Sequence, residues 1–526
     1  MTHRASLVLL AGAALAAAPP LAAQTRAGAA GRIRRAAESI TAADIRSRIG
    51  VIADDSMLGR ATPSPQLEEV AAWVAGEFRS AGLQPGGDSG SFIQRYGIRR
   101  LRVDTTSYVM AMGRGAHGHW LLGRESALLF GRPPAAPLTA PVVLIAGLPT
   151  DTARPFGDVP MRGTIVLQVL DTALIGNNLV PLVTAGVTAG VQAWIFVSNR
   201  SAPEFAGLAA RALAPQYERA GAESSRGPLD ISLYEVRDSS AAELLRAAGE
   251  DPTALRAPGA APAVRALAGV TATVDVRRTA DREASAPNTI GVLEGSDSVL
   301  KHEYVFFTGH MDHIGTASGD EGCRSAGADS ICNGADDDGS GTVAVVELAR
   351  AFAQLDPRPR RSMVFMTVSG EERGLWGSGW YVDHPTVPLD ATVADFNTDM
   401  IGRNPADGVT AVGKEHSSLG ALADSVAAAH PELQLRVLGD TLPRENLFFR
   451  TDHYNFARKG VPVLFFSTGL HADYHRPTDS VDKIAAEQEA RIVRLDFYLG
   501  LAVADATARP AWNPDSYKRI VAPGPR

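Results

Sequence analysis

Three short, unbroken apolar runs, at 304–308, 363–368 and 461–466, punctuate the second half of the chain, and a fourth, more mixed run lies at 392–397. Runs of this length read as strands buried on both faces of a parallel sheet. Between them lie helical patterns. One covers 340–352, with Val345, Val346, Leu348, Ala349 and Phe352 on a single face; another covers 485–507 and is predicted to shield one side of the sheet. Strand and helix alternate throughout 284–510, which predicts a doubly wound α/β domain with a mixed, mostly parallel sheet.

The rest of the chain has a different texture. Residues 39–94 are helical in pattern, with Val70, Trp73, Val74 and Phe78 on one stripe and Gly82 placed as a C-cap. Residues 24–120 are therefore expected to be an N-terminal helical segment packing on the α/β domain. From 121 onward, short apolar runs at 142–146, 164–169, 193–197, 231–236 and 270–276 alternate with Ala-rich helical stretches, and Pro-rich segments separate the pieces. Residues 121–279 are read as a smaller inserted α/β domain. None of its strands ends in a cluster of His, Asp or Glu, so it is read as non-catalytic. The tail, 511–526, carries no motif.

A length of 526 residues suits two or three domains. The net charge of −7 and the lack of any Lys/Arg block argue against a nucleic acid or an anionic membrane as partner. Residues 1–23, MTHRASLVLLAGAALAAAPPLAA, have one Arg, a short apolar core and small residues before Gln24, the pattern of a cleaved signal peptide. No later stretch is long enough to span a bilayer. The mature chain is expected to be periplasmic or secreted and free of the membrane. The only two cysteines, Cys323 and Cys332, are expected to pair in that oxidising setting and pin the loop between His310 and Asp337.

The candidate chemistry sits where the strands stop. His310 and Asp312 follow the first run, Glu371 and Glu372 the second, and Asp399 follows 392–397. A turn with His471, Asp473 and His475 follows the last run, and Asp337 lies in a Gly-rich turn before the 340–352 helix. Ligands of open α/β sheets bind at the carboxyl ends of the strands, so these groups point to one place. Taken alone, an HxD, an EE pair or a DDD turn is common; their arrangement at successive strand ends is not. Two histidines, a shareable carboxylate, further carboxylates and a free base are what a two-zinc hydrolytic site requires. Asp312 is placed to accept the second ring N–H of His310, and Asp479 that of His475. His384, His416 and His430 read as surface residues, Asp452 and His453 as groups that either support the metal ligands from behind or simply pack, and His313 and His471 as neighbours of the site without a defined role. The segment 447–454 is expected to line a side-chain pocket through Phe448 and Phe449.

Residues 284–485 resemble the co-catalytic zinc exopeptidases of the M28 peptidase family through GHMDHIG, NGADDDGSG, SGEERGLWGS, NTDMIG and DYHRPTDS. The resemblance implies one zinc held by Asp337, Glu372 and His475 and a second held by His310, Asp337 and Asp399. Asp337 is singled out because the family's bridging carboxylate stands three residues before the serine that is here Ser340. The resemblance also implies a cis peptide between Asp337 and Asp338, Glu371 as the general base, and Tyr474 as a stabiliser of the tetrahedral oxyanion. The inserted domain resembles a protease-associated (PA) domain through RGTIVLQVLD, VTAGVTAGVQAWIFVSN and PLDISLYEV, with the expected job of roofing the cleft. The function so implied is an exported di-zinc aminopeptidase acting on peptides. A carboxypeptidase or dipeptidase of the same fold is the alternative, and a non-catalytic binding protein a remoter one.

Overall fold

The computed structural model describes the chain except for residues 1–20, 114, 172–178, 222–230, 258–259, 320–321, 405–406 and 522–526. The expected leader thus lies outside the described residues but for its last three. The chain divides into two compact units, Met1–Arg95 with Ala286–Arg526, and Tyr96–Ser285.

The first unit opens with helices α1 (Leu21–Glu38), α2 (Ala42–Ile52) and α3 (Pro65–Ser80). Its sheet uses β1 (Arg278–Leu293, through its C-terminal part), β2 (Tyr304–His310), β3 (Ser362–Val368), β4 (Thr392–Thr398), β5 (Gly408–Val412), β6 (Arg436–Leu438) and β7 (Val463–Ser467). In space the order is β6, β5, β7, β4, β2, β3, β1. The centre is parallel, with β3, β2, β4 and β7 running together, while β1 runs against β3, and β5 runs against β7 but parallel to β6. Successive residues of β2 serve opposite faces. Phe307 meets Phe352, Phe365 and Phe396 on one side, where α4 (Gly339–Ala353) and α8 (Ala486–Asp505) meet through Phe352 and Phe497. Phe306 meets Tyr381 and Phe456 on the other, on helices α5 (Trp376–Asp383) and α7 (His453–Ala457), while α6 (Leu419–Ala429) lies between β5 and β6 in the chain. An apolar run buried on both faces is what the sequence pattern predicts for a central strand.

In the second unit an eight-stranded sheet has a parallel centre of Leu138–Ala146, Ile165–Val169, Ala193–Ser198 and Ser232–Arg237. The unit has its own buried core, with Trp194 and Tyr234 among its fully enclosed side chains.

Two expectations need correction. Residues 93–121 are not helical: Ile93–Val103, Tyr108–Gly113 and Ala116–Leu121 are strands, and the second unit begins at Tyr96 rather than at 121. In Ile93–Val103 buried Ile98 and Leu101 alternate with arginines and other partly or fully exposed residues, which breaks any continuous apolar run, while in Tyr108–Gly113 buried Val109 and Ala111 alternate with less buried residues. The C-terminal tail is docked rather than featureless. Residues Pro514–Ile520 form α9, Ile520 is buried in the core, and the indole N–H of Trp512 donates to the Gly460 carbonyl at 2.8 Å.

Candidate active site

The carboxyl ends of β2, β3 and β4, the turn after β7 and the turn before α4 meet at one place. The run Asp336–Asp337–Asp338 lies there, and each carboxylate does something different. Asp338 is the N-cap of α4: it accepts Gly341 N–H at 2.8 Å, His310 N–H at 2.9 Å and Met400 N–H at 3.3 Å, which ties three loops together. Asp336 accepts Gly402 N–H at 2.7 Å and faces His471 Nε2 at 3.2 Å. Asp337 alone turns into the cleft. The peptide between Asp337 and Asp338 is cis. Gly334, at φ +60°, has no room for a side chain, since a Cβ there would overlap the Asp337 carbonyl and the His313 ring.

The two oxygens of Asp337 face two separate groups. Oδ1 lies 3.4 Å from His310 Nε2, which is itself 3.7 Å from Asp399 Oδ1. Oδ2 lies 3.2 Å from His475 Nε2, which is also 3.2 Å from Glu372 Oε2. Ligands spaced around a tetrahedral zinc with bonds of roughly 2.0 to 2.1 Å stand about 3.3 Å apart. Asp337 Oδ2, Asp399 Oδ1 and His475 Nε2 are buried with no hydrogen-bond partner. Buried polar atoms normally have partners, so these orphans fit a bound cation, and imidazole with carboxylate is a zinc donor set. Met400 at φ +57° and His475 at φ +56° hold the left-handed backbone region, which is costly for side-chain-bearing residues and concentrates at functional sites.

Glu371 belongs to neither group, although its Oε2 lies 4.0 Å from His310 Nε2. Burial raises its carboxyl well above the usual range, and the charges of Asp452, Glu372 and Asp399 add to this against the pull of His310. Burial likewise raises Asp399, helped by Asp337 and Glu372. Asp337 goes the other way: His313, His310 and His475 outweigh its burial and hold it well below the carboxylate range. Glu372 is held at about 2 against its burial by the hydrogen bond from His313 and by the nearness of His475, and against their own burial His310 rises well above its ordinary value and His475 to about 10. With protein groups alone, protons on the histidines supply the positive charge the carboxylates require.

A cavity of about 280 Å³ opens on this centre, with Tyr474, Glu371, Leu447, Arg450, Thr451 and Phe465 among its lining. The 447–454 segment therefore contributes Leu447, Arg450 and Thr451, and not the phenylalanines expected from the sequence. Phe448 is packed against His416 and His453, and Phe449 is exposed. His416 is buried, not a surface residue, with its Nδ1 3.1 Å from Ser516 Oγ.

Both proposed orienting carboxylates act differently from expectation. His310 Nδ1 lies 3.1 Å from the backbone carbonyl of Asp312 but 3.7 Å from its carboxylate. That carboxylate instead accepts Thr62 O–H at 2.9 Å and Glu371 N–H at 3.3 Å. Asp479 accepts the backbone N–H of Asp336 and Asp337 at 3.0 and 3.1 Å rather than meeting His475. Residue spacing gave proximity, but only coordinates tell which atom accepts. His313, without a role in the sequence reading, places Nδ1 2.9 Å from Glu372 Oε1 and forms a potential ligand triad with Asp337 and Glu372. Its ring stands edge-on to His475 with centroids 5.7 Å apart. Asp452 accepts a hydrogen bond from Ser378. Cys323 and Cys332 form a disulfide.

Aminopeptidase YwaD of Bacillus subtilis is 26% identical over 222 residues, covering 39% of this chain and 42% of that protein. Leupeptin-inactivating enzyme 1 of Streptomyces exfoliatus is 29% identical over 158 residues, covering 30% of this chain and 34% of that protein. The chain thus matches less than half the length of these curated relatives. Among solved structures, an aminopeptidase from Aneurinibacillus sp. strain AM-1 superposes over 91% of this chain and 97% of that one, with a TM-score of 0.52 at 18% identity, and so shares the fold. Residues 288–499 match the sequence profile of Peptidase family M28, and this stretch holds all the residues of the two groups on Asp337.

Proposed function

We propose that the protein is a di-zinc exopeptidase, an aminopeptidase that removes N-terminal residues from peptides. The observation that carries the proposal is the division of Asp337, one oxygen to His310 and Asp399 and the other to His475 and Glu372. Bound between these groups, two zinc ions would supply the Lewis acidity that polarises a scissile carbonyl and acidifies water. Glu371 stands beside both groups with a raised carboxyl, the property of a base that can take a proton from water and return it to the leaving amine. The Tyr474 hydroxyl lines the same cavity and is assigned the donor's role toward the tetrahedral oxyanion. A small cleft lined by Asp337, Glu371, Glu372 and Asp399 suits a peptide end that carries a free, positively charged amine.

One observation favours the carboxypeptidase or dipeptidase reading: Arg450 lines the same cavity and could hold a terminal carboxylate. Export is supported by the 1–23 pattern and by the Cys323–Cys332 disulfide, a bond of oxidising compartments. Among the described residues no helix is long and apolar enough to cross a membrane. The second unit, with its own sheet and core, is read as a PA-like domain. Fluorogenic aminoacyl substrates tested beside N-blocked and C-blocked dipeptides, with and without chelator, decide the matter. Chelator-sensitive cleavage that requires a free amine is the expected result. Cleavage that survives N-blocking but fails on C-blocking moves the assignment to the alternative.

A further inference from the structure

Arg60 and Thr62 lie in an N-terminal loop far outside the 288–499 family match, yet they reach the metal-binding loops directly. Arg60 is fully buried. Every hydrogen bond of its guanidinium ends on a backbone carbonyl: Met311 at 2.8 Å, Gly334 at 2.7 Å, Ile52 at 3.3 Å, Asp337 at 3.4 Å and Asn333. Met311 follows His310, and Asn333, Gly334 and Asp337 belong to the turn that presents the shared carboxylate. The backbone joins in, since His313 N–H donates to Arg60 O at 3.4 Å and Gly315 N–H to Gly59 O at 3.1 Å. A buried guanidinium without a carboxylate partner is costly to desolvate. Here burial still holds the guanidinium below its ordinary value, and the carbonyls together with the field of Asp337, Asp338, Asp312 and Asp479 offset that cost only in part.

Thr62 completes the connection. Its hydroxyl donates to Asp312 Oδ2 at 2.9 Å and accepts Gly370 N–H at 3.1 Å, and its carbonyl accepts from Arg373. Asp312 in turn holds Glu371 N–H and, through its carbonyl, the His310 ring. A single hydroxyl therefore links the loop of His310 to the loop of Glu371 and Glu372.

We propose that Arg60 and Thr62 are positioning residues of the metal centre, fixing from outside the matched family domain the loops that carry His310, Asp337, Glu371 and Glu372. The inference rests on the two-metal reading. Its test uses the full chain and does not depend on turnover alone. Metal-depleted wild type, Thr62→Ser, Thr62→Val, Arg60→Lys and Arg60→Met are titrated with Co(II), following the visible absorption of the bound ion, and with Zn(II) against a chelating indicator. Circular dichroism and the melting temperature of the metal-free form are recorded alongside. Supporting residues of metal ligands typically govern about 10- to 100-fold in metal affinity or activity. Thr62→Val is expected to shift the cobalt spectrum and lower kcat by about that factor with KM within about twofold, and Thr62→Ser to restore both. Arg60→Met is expected to weaken Zn(II) binding by a similar factor, with Arg60→Lys between it and wild type. Should Arg60→Met fail to fold, the Thr62 pair decides. Wild-type cobalt spectrum and wild-type kcat in Thr62→Val overturn the proposal, even if the melting temperature has fallen. A wild type that takes up no cobalt sinks the two-metal reading first, and this inference with it.

Discussion

Glu371 and Glu372 are adjacent in sequence yet oppositely perturbed, and the difference is one of neighbours. Glu372 accepts from His313 and faces His475, and is held at about 2; Glu371 sits among Asp452, Glu372 and Asp399 and rises. Glu371→Gln is therefore expected to keep its metal, measured by elemental analysis, while losing about 10²- to 10⁴-fold in kcat, the share a general base commonly supplies. Loss of metal along with activity would show that Glu371 is a ligand instead. The histidines make a second prediction. A ligand must be deprotonated, and His475, raised to about 10, carries a proton at neutral pH until a cation replaces it. Zinc uptake at about pH 7.5 is expected to release at least about one proton per chain, read by calorimetry in buffers of different ionisation enthalpy, and zinc affinity to fall as pH falls. Heat of binding independent of buffer would contradict this.

Among the elements, α4 starts in close contact with the end of β4. A Cβ on Gly341 would overlap the Thr398 carbonyl and the Asp338 carboxylate, so only glycine lets the helix start there. Gly341→Ala is expected to cost roughly 1 to 3 kcal/mol through overpacking, and about 1 more if the Asp338 cap is displaced. Urea unfolding measures it; an unchanged midpoint would mean that the helix shifts freely. The strands that lead to His310 and Glu371 were legible in the sequence because a two-sided buried strand leaves a nearly uninterrupted apolar run, while the strand before Asp399, interrupted by Asp395, gave only a mixed one. Asp337 was found in its triplet through family spacing, while the cap role of Asp338 emerged only from the structure. Arg60 and Thr62 were not legible. Each is one polar residue in a loop without periodicity, and their partners are mostly backbone atoms some 250 or more positions away. The half-buried strand Ile93–Val103 was missed for a related reason, since alternation with arginine hides its apolar face.

For the molecule as a whole, stability follows pH through buried acids. Asp395, fully buried with a hydrogen bond from Thr308 as its support, is pushed up from 3.8 to about 8 by burial. A carboxyl raised in the fold is favoured there in its protonated form. Its contribution is intact below 3.8 and is lost as pH climbs toward about 8. The stability of Asp395→Asn relative to wild type is thus expected to rise by roughly 1.4 kcal/mol per pH unit through that window. Urea unfolding at successive pH values measures it, and parallel profiles would refute it. Metal acts in the same global way. Free zinc at about 100 times its Kd should add about 2.7 kcal/mol to the stability of the unit that binds it, seen as a melting temperature that drops on chelation. No change on chelation would mean that the ion contributes nothing to the fold.

The chain leaves the first unit after Arg95 and returns at Ala286, and the two crossing points are neighbours: Ile93–Val103 lies beside Arg278–Leu293 in the sheet, and Ile290 N–H donates to Phe92 O at 2.7 Å. Because the cut ends lie on neighbouring strands, a short glycine-rich bridge in place of residues 96–285 should close the surrounding fold without stretching it. Such a shortened polypeptide is expected to be soluble and to take up zinc, which would make it a minimal scaffold for asking what the excised unit contributes to choosing substrates.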